Sequence, residues 1–241
     1  MTDTRKRIDR TSVAALIPAY FEERAIADVA ARTLAQLDHV LVVDDGSTDA
    51  TTERAKATGA RVIKHEVNKG KGGAIKTGFT ALLKQPVEYI LILDADGQHL
   101  PEEIGRFIGE ANQSGAQLIV GSRMGDTRTM PFVRRMTNRF MSWLISGVCG
   151  QRIPDSQSGF RMIHRDVVPH LFCETQGYDY ESEMIFIAAR EGFQIAAVPI
   201  STIYGDEKSK IHPVRDTIKF FKLLARYRGA GTGVKREKQS D

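Results

Sequence analysis

Short apolar runs alternate with stretches of helical spacing through the first half of the chain. The apolar runs predict five strands, over 13–17, 40–43, 61–65, 89–93 and 117–121. The four stretches between them predict helices. This alternation predicts an α/β fold with a mainly parallel, doubly wound sheet and helices on both of its faces.

The pattern changes after residue 121. Helical spacing returns over 132–147 and 181–190, an apolar strand pattern over 194–200, and a Gly- and Ser-containing loop runs into an apolar segment over 155–163. We interpret this half as wrapping onto the same sheet. The organisation predicted is an N-terminal extension (1–12), one domain (13–228, with halves 13–121 and 122–228) and a disordered, Gly-rich and charged tail (229–241).

Composition restricts the class of protein. A chain of 241 residues, 41% of them hydrophobic, is long enough for one large α/β domain. A net charge of +4 is compatible with a phosphorylated substrate, an anionic membrane or a nucleic acid. The two cysteines form no CxxC pair, and no secretory signal or membrane-spanning run is apparent, which predicts a cytoplasmic protein that can lie peripherally on a membrane.

Three of the predicted strands are followed by segments that could bind a ligand. Pro18, Ala19 and Tyr20 follow the first strand, a pair of acids the second, and an Asp-Ala-Asp sequence the fourth. Ligands of open α/β sheets bind outside the carboxyl ends of the strands, so these segments are expected to converge on one crevice.

Two aspartates one residue apart, Asp94 and Asp96, end the fourth strand, with Gln98 and His99 close behind. Such a set of hard oxygen ligands favours Mg²⁺ or Mn²⁺ over Zn²⁺, which prefers His and Cys. The alternative is an ordinary turn, because Asp is a common turn former, with His99 as a packing residue.

The second strand ends in Asp44 and Asp45, and an acid at this place commonly accepts hydrogen bonds from ribose hydroxyls or a base N–H. A plain turn in which Ser47 or Thr48 caps the next helix is the alternative. The Gly- and Lys-rich segment 68–73 lies before a predicted helix, where glycines and lysines favour an anion; a flexible surface turn would also explain it.

Six segments in order resemble the motifs of family 2 glycosyltransferases with the GT-A fold, most closely the dolichyl- or polyprenyl-phosphate sugar synthases. These segments are 19–23, 43–49, 68–72, 93–99, 121–123 and 155–161. Six ordered motifs are far more specific than any one of them, and the resemblance spans about residues 13 to 226.

The resemblance implies a role for each matching residue. It implies a nucleotide-sugar pocket made by Pro18, Ala19, Tyr20, Glu22, Asp44, Asp45, Lys71, Asp94 and Ala95. It implies that Mg²⁺ or Mn²⁺ is held by Asp94, Asp96 and Gln98. The acceptor side would comprise Arg123, Arg134, Arg135, Gln157, Lys208 and Lys210. The residues expected to act in catalysis are Asp96, Arg123, Arg135, Asp179 and Glu181.

The implied reaction moves a hexose from a GDP- or UDP-sugar to polyprenyl phosphate, with inversion. A lipid phosphate is already ionised and needs positioning by arginines, whereas a hydroxyl acceptor needs a carboxylate base such as Asp179 or Glu181. Glu181 can equally be an acidic residue in the first turn of a helix, where the helix dipole favours negative charge. A soluble sugar, glycerate or protein acceptor, and a non-catalytic nucleotide-sugar binding module, remain alternatives; no RNA-binding platform is apparent, so no nucleic acid partner is expected.

The segment 214–227 has an apolar helical face and basic residues elsewhere. Such a helix can lie on an anionic membrane surface. An ordinary helix that packs on the core with its lysines in water explains the same pattern.

Overall fold

The computed structural model describes residues 7–125, 132–172, 179–201, 203 and 226–227. Seven strands occupy this part of the chain: β1 Val13–Ala19, β2 His39–Asp44, β3 Arg61–Lys64, β4 Tyr89–Ile92, β5 Leu118–Ser122, β6 Arg161–His164 and β7 Ile195–Pro199. Its six α-helices are α1 Ile26–Gln36, α2 Thr51–Ala57, α3 Gly70–Leu82, α4 Ile104–Ser114, α5 Phe132–Cys149 and α6 Asp179–Arg190. Short 3₁₀ turns are formed by Pro101–Glu103, Arg123–Gly125 and Val168–Leu171.

The strands form one sheet in the order β3-β2-β1-β4-β6-β5-β7. β1 pairs in parallel with β2 and β4, β2 with β3, and β5 with β7. The five strands predicted in the first half and the mainly parallel sheet are therefore confirmed. The strand and helices predicted over 194–200, 132–147 and 181–190 correspond to β7, α5 and α6.

The exception to the parallel pattern is β6, which lies antiparallel between β4 and β5. The sequence predicted a loop running into an apolar segment here, and the structure corrects its end to a strand. With four residues, Arg-Met-Ile-His, β6 is too short to give a clear period-two pattern. Its pairing places part of the second half inside the sheet of the first.

Helices cover both faces of the sheet, because alternate strand residues point to opposite layers. Leu16, Leu41 and Ile92 belong to a core cluster that includes residues of α3, α5 and α6. Ile17, Val42 and Leu91 belong to a second cluster that includes residues of α1, α2 and α4. The sheet is thus buried from both sides and holds its strand ends at fixed positions.

The first helix shows why these amphipathic segments fold as they do. α1 buries Ile26, Val29, Ala30 and Thr33, which share one helical face. The Thr33 hydroxyl, buried with that face, donates to the Val29 carbonyl at 2.7 Å.

Cys149 is a buried free thiol, and its burial raises its pKa to about 12; Cys173 lies outside the described residues.

No helix in the described ranges is both long enough and apolar enough to cross a bilayer.

Candidate active site

The carboxyl ends of β1, β2, β4 and β5 lie at the same edge of the sheet, where β6 begins. The register pairs Ala19 of β1 with Asp44 of β2, and Val120 of β5 with Arg161 at the start of β6. Asp94 follows two residues after β4, at this same edge. The convergence expected from the sequence is therefore what the sheet produces.

Asp44 is fully buried and holds the turn that follows β2. One carboxylate oxygen accepts a hydrogen bond from the Ser47 amide at 2.9 Å, and the other accepts one from the Thr52 hydroxyl. Gly46 has a φ of +84°, and a Cβ there would lie 3.0 Å from the Asn68 backbone nitrogen. The turn therefore requires glycine, and the two hydrogen bonds accepted by Asp44 stabilise it.

Asp45, the next residue, belongs to a buried hydrogen-bond chain. Its Oδ1 lies 2.6 Å from Nδ1 of His65 and accepts a bond from the Lys69 amide at 2.9 Å. His65 Nε2 lies 2.8 Å from the Thr77 hydroxyl. Because Thr77 can donate to Nε2, the ring can carry its proton on Nδ1 and donate to Asp45. Asp45 is therefore held by the residue that follows β3 and by the residue that precedes α3.

A concavity of about 400 Å³ lies beside this chain of bonds. It is lined by Gly46, Ser47, Thr48, Lys64, His65 and Glu66. The rim of the concavity is therefore formed by the end of β3 and by the turns that follow β2 and β3. His65 lines the concavity, and both of its ring nitrogens are hydrogen-bonded.

The turn after β1 is fastened to the turn after β2 by hydroxyl groups. The Phe21 amide donates to the Ser47 hydroxyl at 2.9 Å, and the Glu22 amide donates to the Thr51 hydroxyl at 3.0 Å. Phe21 has a φ of 56°, the left-handed region that a bulky residue rarely adopts. α2 has no side-chain cap, so Ser47 serves this cross-connection instead of the helix cap considered from the sequence.

Lys71, in the first turn of α3, bridges two carboxylates. Its ammonium lies 2.6 Å from Asp94 Oδ1 and 2.6 Å from Glu181 Oε1. Burial disfavours the ammonium, but the two carboxylates outweigh this and raise the pKa of Lys71. Burial would likewise raise the pKa of Asp94, yet the charge of Lys71, together with His99, holds it well below its usual range. The group is a fixed, charged cluster.

The second aspartate of the pair is Asp96. Its Oδ1 accepts a hydrogen bond from the backbone N–H of Gln98 at 2.9 Å. His99 is buried, its ring packs 5.3 Å from that of Phe160, and its Nε2 lies 3.8 Å from Asp94 Oδ2. Within the described part of the chain, Nδ1 of His99 is buried without a hydrogen-bond partner. His99 is thus mainly a packing residue, as the sequence allowed.

The side chains at this edge of the sheet offer a divalent cation only part of a ligand shell. No group of three or more His, Cys, Asp or Glu side chains in the described ranges is arranged to hold a metal ion. Asp94 Oδ1 is already bound to the Lys71 ammonium. Mg²⁺ and Mn²⁺ nevertheless bind hard oxygen ligands alongside phosphate oxygens. Such ligands are offered by the carboxylates of Asp94 and Asp96 and by the side-chain amide oxygen of Gln98. The donor set fits such an ion as a partial shell.

Gly159, in the loop before β6, makes room for Asp94. A Cβ at this position would lie 2.4 Å from Asp94 Oδ2. Real Cβ atoms do not approach oxygen so closely, so the loop can pass this carboxylate because it carries glycine.

Arg123 directly follows β5 and is buried against Asp155. Its Nε and Nη2 donate to the two carboxylate oxygens of Asp155 at 2.8 and 2.9 Å, a bidentate pair. Burial opposes the charge on Asp155, but Arg123 keeps the pKa of that carboxyl lowered. In this conformation Arg123 ties β5 to the loop before β6, and its expected contact with an acceptor phosphate stays a prediction.

A buried arginine at the start of β6 supports the same loop. Arg161 donates to the carbonyls of Ser156, Ser158 and Glu181, and burial lowers its pKa. Gln157, expected on the acceptor side, donates to the Ser182 hydroxyl at 3.1 Å. The loop is thereby joined to α6, the helix that carries Glu181.

Several residues predicted on the acceptor side cannot be placed. Lys208, Lys210 and 214–225 lie outside the described residues, as do the side chains of Arg134 and Asp179. Arg135 is half-buried near the start of α5. The roles expected of these residues, and the disordered tail over 229–241, stay predictions.

Sequence reasoning assigned no role to four residues that shape this site: His65, Thr77, Asp155 and Gly159. His65 ended a predicted strand, and Thr77 lay within a predicted helix. Asp155 and Gly159 lay in a recognised segment, so that motif was a usable signal for both. The pairing of His65 with Asp45 spans 20 residues and has no local signal.

Comparison with known proteins gives a consistent result. Residues 14–172 match the family model described as glycosyl transferase family 2. The chain is 32% identical over 212 residues to the UDP-N-acetylglucosamine–dolichyl-phosphate N-acetylglucosaminyltransferase of Methanococcus voltae, covering 78% of this chain and 84% of that protein. It is 32% identical over 200 residues to the polyprenol monophosphomannose synthase of Mycolicibacterium smegmatis, covering 77% and 75%.

Among solved structures, the fold is similar to that of glucosyl-3-phosphoglycerate synthase from Mycobacterium tuberculosis in complex with Mn²⁺, UDP-glucose and phosphoglyceric acid. The TM-score is 0.68, with 22% sequence identity, 91% of this chain covered and 80% of that one. At this identity the similarity supports the fold.

Proposed function

Because the chain belongs to glycosyl transferase family 2, we propose that it transfers a hexose from a GDP- or UDP-sugar to polyprenyl phosphate, with inversion at the anomeric carbon and with Mg²⁺ or Mn²⁺ bound. The observation that carries the proposal is the convergence of Asp45, Asp94, Asp96 and the Lys71 bridge at one edge of the sheet. The named activities of the relatives on dolichyl or polyprenyl acceptors support the choice of acceptor.

The turns after β1 and β2 would bind the nucleoside. Asp45, held on one oxygen by His65 and Lys69, is a fixed acceptor suited to a ribose hydroxyl or a base N–H. Pro18, Ala19, Tyr20 and Glu22 would line the same pocket from β1. The hydroxyls that fasten the two turns keep the pocket in shape before a ligand arrives.

Asp94, Asp96 and Gln98 would hold the metal ion. A bound Mg²⁺ or Mn²⁺ would neutralise charge on the departing diphosphate. Lys71 would balance the negative charge of Asp94 and Glu181 and hold these carboxylates in place. The related fold that has been solved with Mn²⁺ and UDP-glucose supports this assignment.

In the transfer, an acceptor phosphate oxygen forms a bond to the anomeric carbon from the face opposite the donor diphosphate. The bond from that carbon to the donor oxygen breaks, its electron pair stays on the departing nucleoside diphosphate, and the configuration inverts. An ionised phosphate needs no proton removed, so cationic groups that position it suffice. Arg123 and Arg135 are the candidates for this role among the described residues.

A hydroxyl acceptor such as a glycerate is the second candidate, because the solved structural relative was captured with phosphoglyceric acid. That reaction would need a base. Oε1 of Glu181 lies 2.6 Å from the Lys71 ammonium, which would compete with an acceptor hydroxyl for the lone pairs of that oxygen. The relatives are named as transferases, which favours either enzyme over a non-catalytic binding module.

The test is transfer of labelled hexose from GDP- and UDP-sugars to a short polyprenyl phosphate, with Mg²⁺ or Mn²⁺, scored as label extracted into organic solvent. We expect Asp96→Asn to lower the rate by at least about 100-fold while the unfolding midpoint in urea is unchanged. Asp166→Asn is the matched control, because Asp166 is exposed beyond the far end of β6. Full activity of Asp96→Asn would refute the metal assignment. The same assay is repeated with phosphoglycerate as the acceptor, and label that moves to phosphoglycerate but not to the lipid would favour the second candidate.

A further inference from the structure

α5 carries two stripes of side chains on opposite sides. One stripe is buried and consists of Asn138, Ser142, Ile145 and Cys149. The other is exposed and apolar: Met136 is 51% exposed, Phe140 51% and Trp143 69%. At 3.6 residues per turn the centres of the two stripes lie about 160° apart around the helix. The exposed stripe therefore points away from the core.

The buried stripe fixes the rotation of α5 and connects it to the candidate active site. The Ser142 hydroxyl accepts a hydrogen bond from the Ser156 amide at 3.1 Å. The Ser146 hydroxyl accepts one from the Ile153 amide at 2.9 Å. These bonds hold the loop whose Asp155 pairs with Arg123, so the exposed stripe lies on the outer side of a helix that supports the site.

Large apolar side chains so exposed on a helix that is otherwise well packed indicate a binding surface. The rings of Phe140 and Trp143 lie 6.2 Å apart and form one aromatic patch. Tryptophan is favoured at the boundary between lipid headgroups and acyl chains, where its ring is buried and its N–H meets polar groups. The patch has the chemistry of a membrane-interface contact.

The charge of α5 identifies the kind of surface. Its sequence, FVRRMTNRFMSWLISGVC, contains three arginines and no Asp or Glu, so the helix carries a net charge of +3. Arg139 is exposed next to Phe140. Contact with a second copy of this chain through the same face would bring two such helices together and oppose like charges. An anionic surface would be complementary.

We propose that the exposed stripe of α5 (Met136, Phe140 and Trp143), flanked by Arg139, docks the protein on an anionic lipid bilayer. The rings enter the boundary between headgroups and acyl chains, while the arginine contacts lipid phosphates. A lipid acceptor requires contact with the membrane, and the stripe would be the place of that contact. In this respect the inference rests on the proposed function. It brings the bilayer to the side of α5 opposite the loop that holds Asp155.

Trp143 is the single tryptophan of the chain and so reports on its own surroundings. The full-length protein is titrated with vesicles of phosphatidylglycerol and phosphatidylcholine, without any sugar donor, and tryptophan emission is recorded. We expect a blue shift, and quenching by lipids brominated near the headgroup end of the acyl chain. Vesicles of phosphatidylcholine alone should bind about fivefold more weakly, because one Arg–headgroup attraction contributes roughly a factor of five.

Two variants and a matched control test the residues named. Phe140→Ala combined with Met136→Ala, and separately Arg139→Glu, should each weaken vesicle binding by about tenfold or more in co-sedimentation. Lys56→Glu makes the same change of charge at an exposed position of α2, and it should bind like the wild type. Equal loss in Lys56→Glu and Arg139→Glu would mean that net charge, not this face, is responsible, and would overturn the proposal.

The remaining outcomes are also decisive. Emission that shifts with protein concentration but not with vesicles would assign the face to self-association instead. Unchanged emission under both conditions would overturn the docking surface even if label reaches polyprenyl phosphate in detergent, and the proposed function would then stand alone. Insertion of Trp143 with no lipid product would leave the docking surface and refute the acceptor.

Discussion

At the scale of single residues, the orientation of Asp45 is the feature on which donor binding should depend most. His65 and the Lys69 amide both bond to Oδ1. No hydrogen bond within the described part of the chain reaches Oδ2. The carboxylate therefore cannot rotate freely, and a nucleoside that binds it meets an oxygen whose direction is already set.

Replacing His65 by Ala should raise the KM for the nucleotide sugar by about tenfold with a smaller change in kcat, because a buried hydrogen bond to a carboxylate contributes about 1.5 kcal/mol or more. Steady-state kinetics at saturating acceptor measures this split. His39→Ala is the control, since His39 is exposed at the opposite end of β2.

Rescue separates orientation from general damage to the fold. His65→Asn, whose amide can donate to Asp45 in place of Nδ1, should recover most of the affinity. A fall in kcat with an unchanged KM, or no recovery in His65→Asn, would contradict the role assigned to His65.

At the scale of elements, the site depends on a bridge between three of them. Lys71 belongs to α3, Asp94 follows β4, and Glu181 lies in the first turn of α6. α6 belongs to the second half of the chain, so one ammonium connects the first half of the chain to the second. Without it, two partly buried carboxylates would face each other uncompensated.

Lys71→Met should therefore lower the free energy of unfolding by about 3 kcal/mol and reduce transfer together with it, because removing one partner of a buried ion pair leaves the others unpaired. Urea unfolding at neutral pH measures the first effect. Lys69→Met makes the same change two residues earlier at an exposed side chain and should unfold like the wild type. Equal midpoints for the two variants would show that the bridge does not contribute to stability.

At the scale of the whole molecule, the two halves of the chain share one sheet. β6, from the second half, is hydrogen-bonded to β4 on one side and to β5 on the other. Without β6 the two strands of the first half would each lose a neighbour and expose an unpaired edge. The first half thus has the segments proposed to bind the donor but an incomplete sheet.

A fragment of residues 1–125 should accordingly lack a cooperative urea transition and a near-ultraviolet circular dichroism signal, although it holds the six elements from β1 to α3 and the strands β4 and β5. Adding residues 126–241 as a separate chain should restore part of both signals if β6 can insert. Cooperative unfolding of the fragment alone would show that the halves are independent units.

The sequence by itself determined much of this protein, because the relevant signals are local. Apolar runs and helical spacing located six of the seven described strands and the helices beside them, and acids after β2 and β4 marked the edge where the site forms. Turn glycines such as Gly46 were likewise visible in a motif. Periodicity and turn chemistry depend on neighbours in the chain, so these features could be predicted without knowledge of the fold.

The tertiary structure alone decided the partners. It inserted β6 between β4 and β5, paired Lys71 with Glu181 across 110 residues and Arg123 with Asp155 across 32, and set His65 behind Asp45. It also turned the aromatic stripe of α5 outward, where helical spacing by itself could not say which face would be buried. These features arise from contacts between distant segments, and their geometry depends on the packing of the complete sheet and its helices.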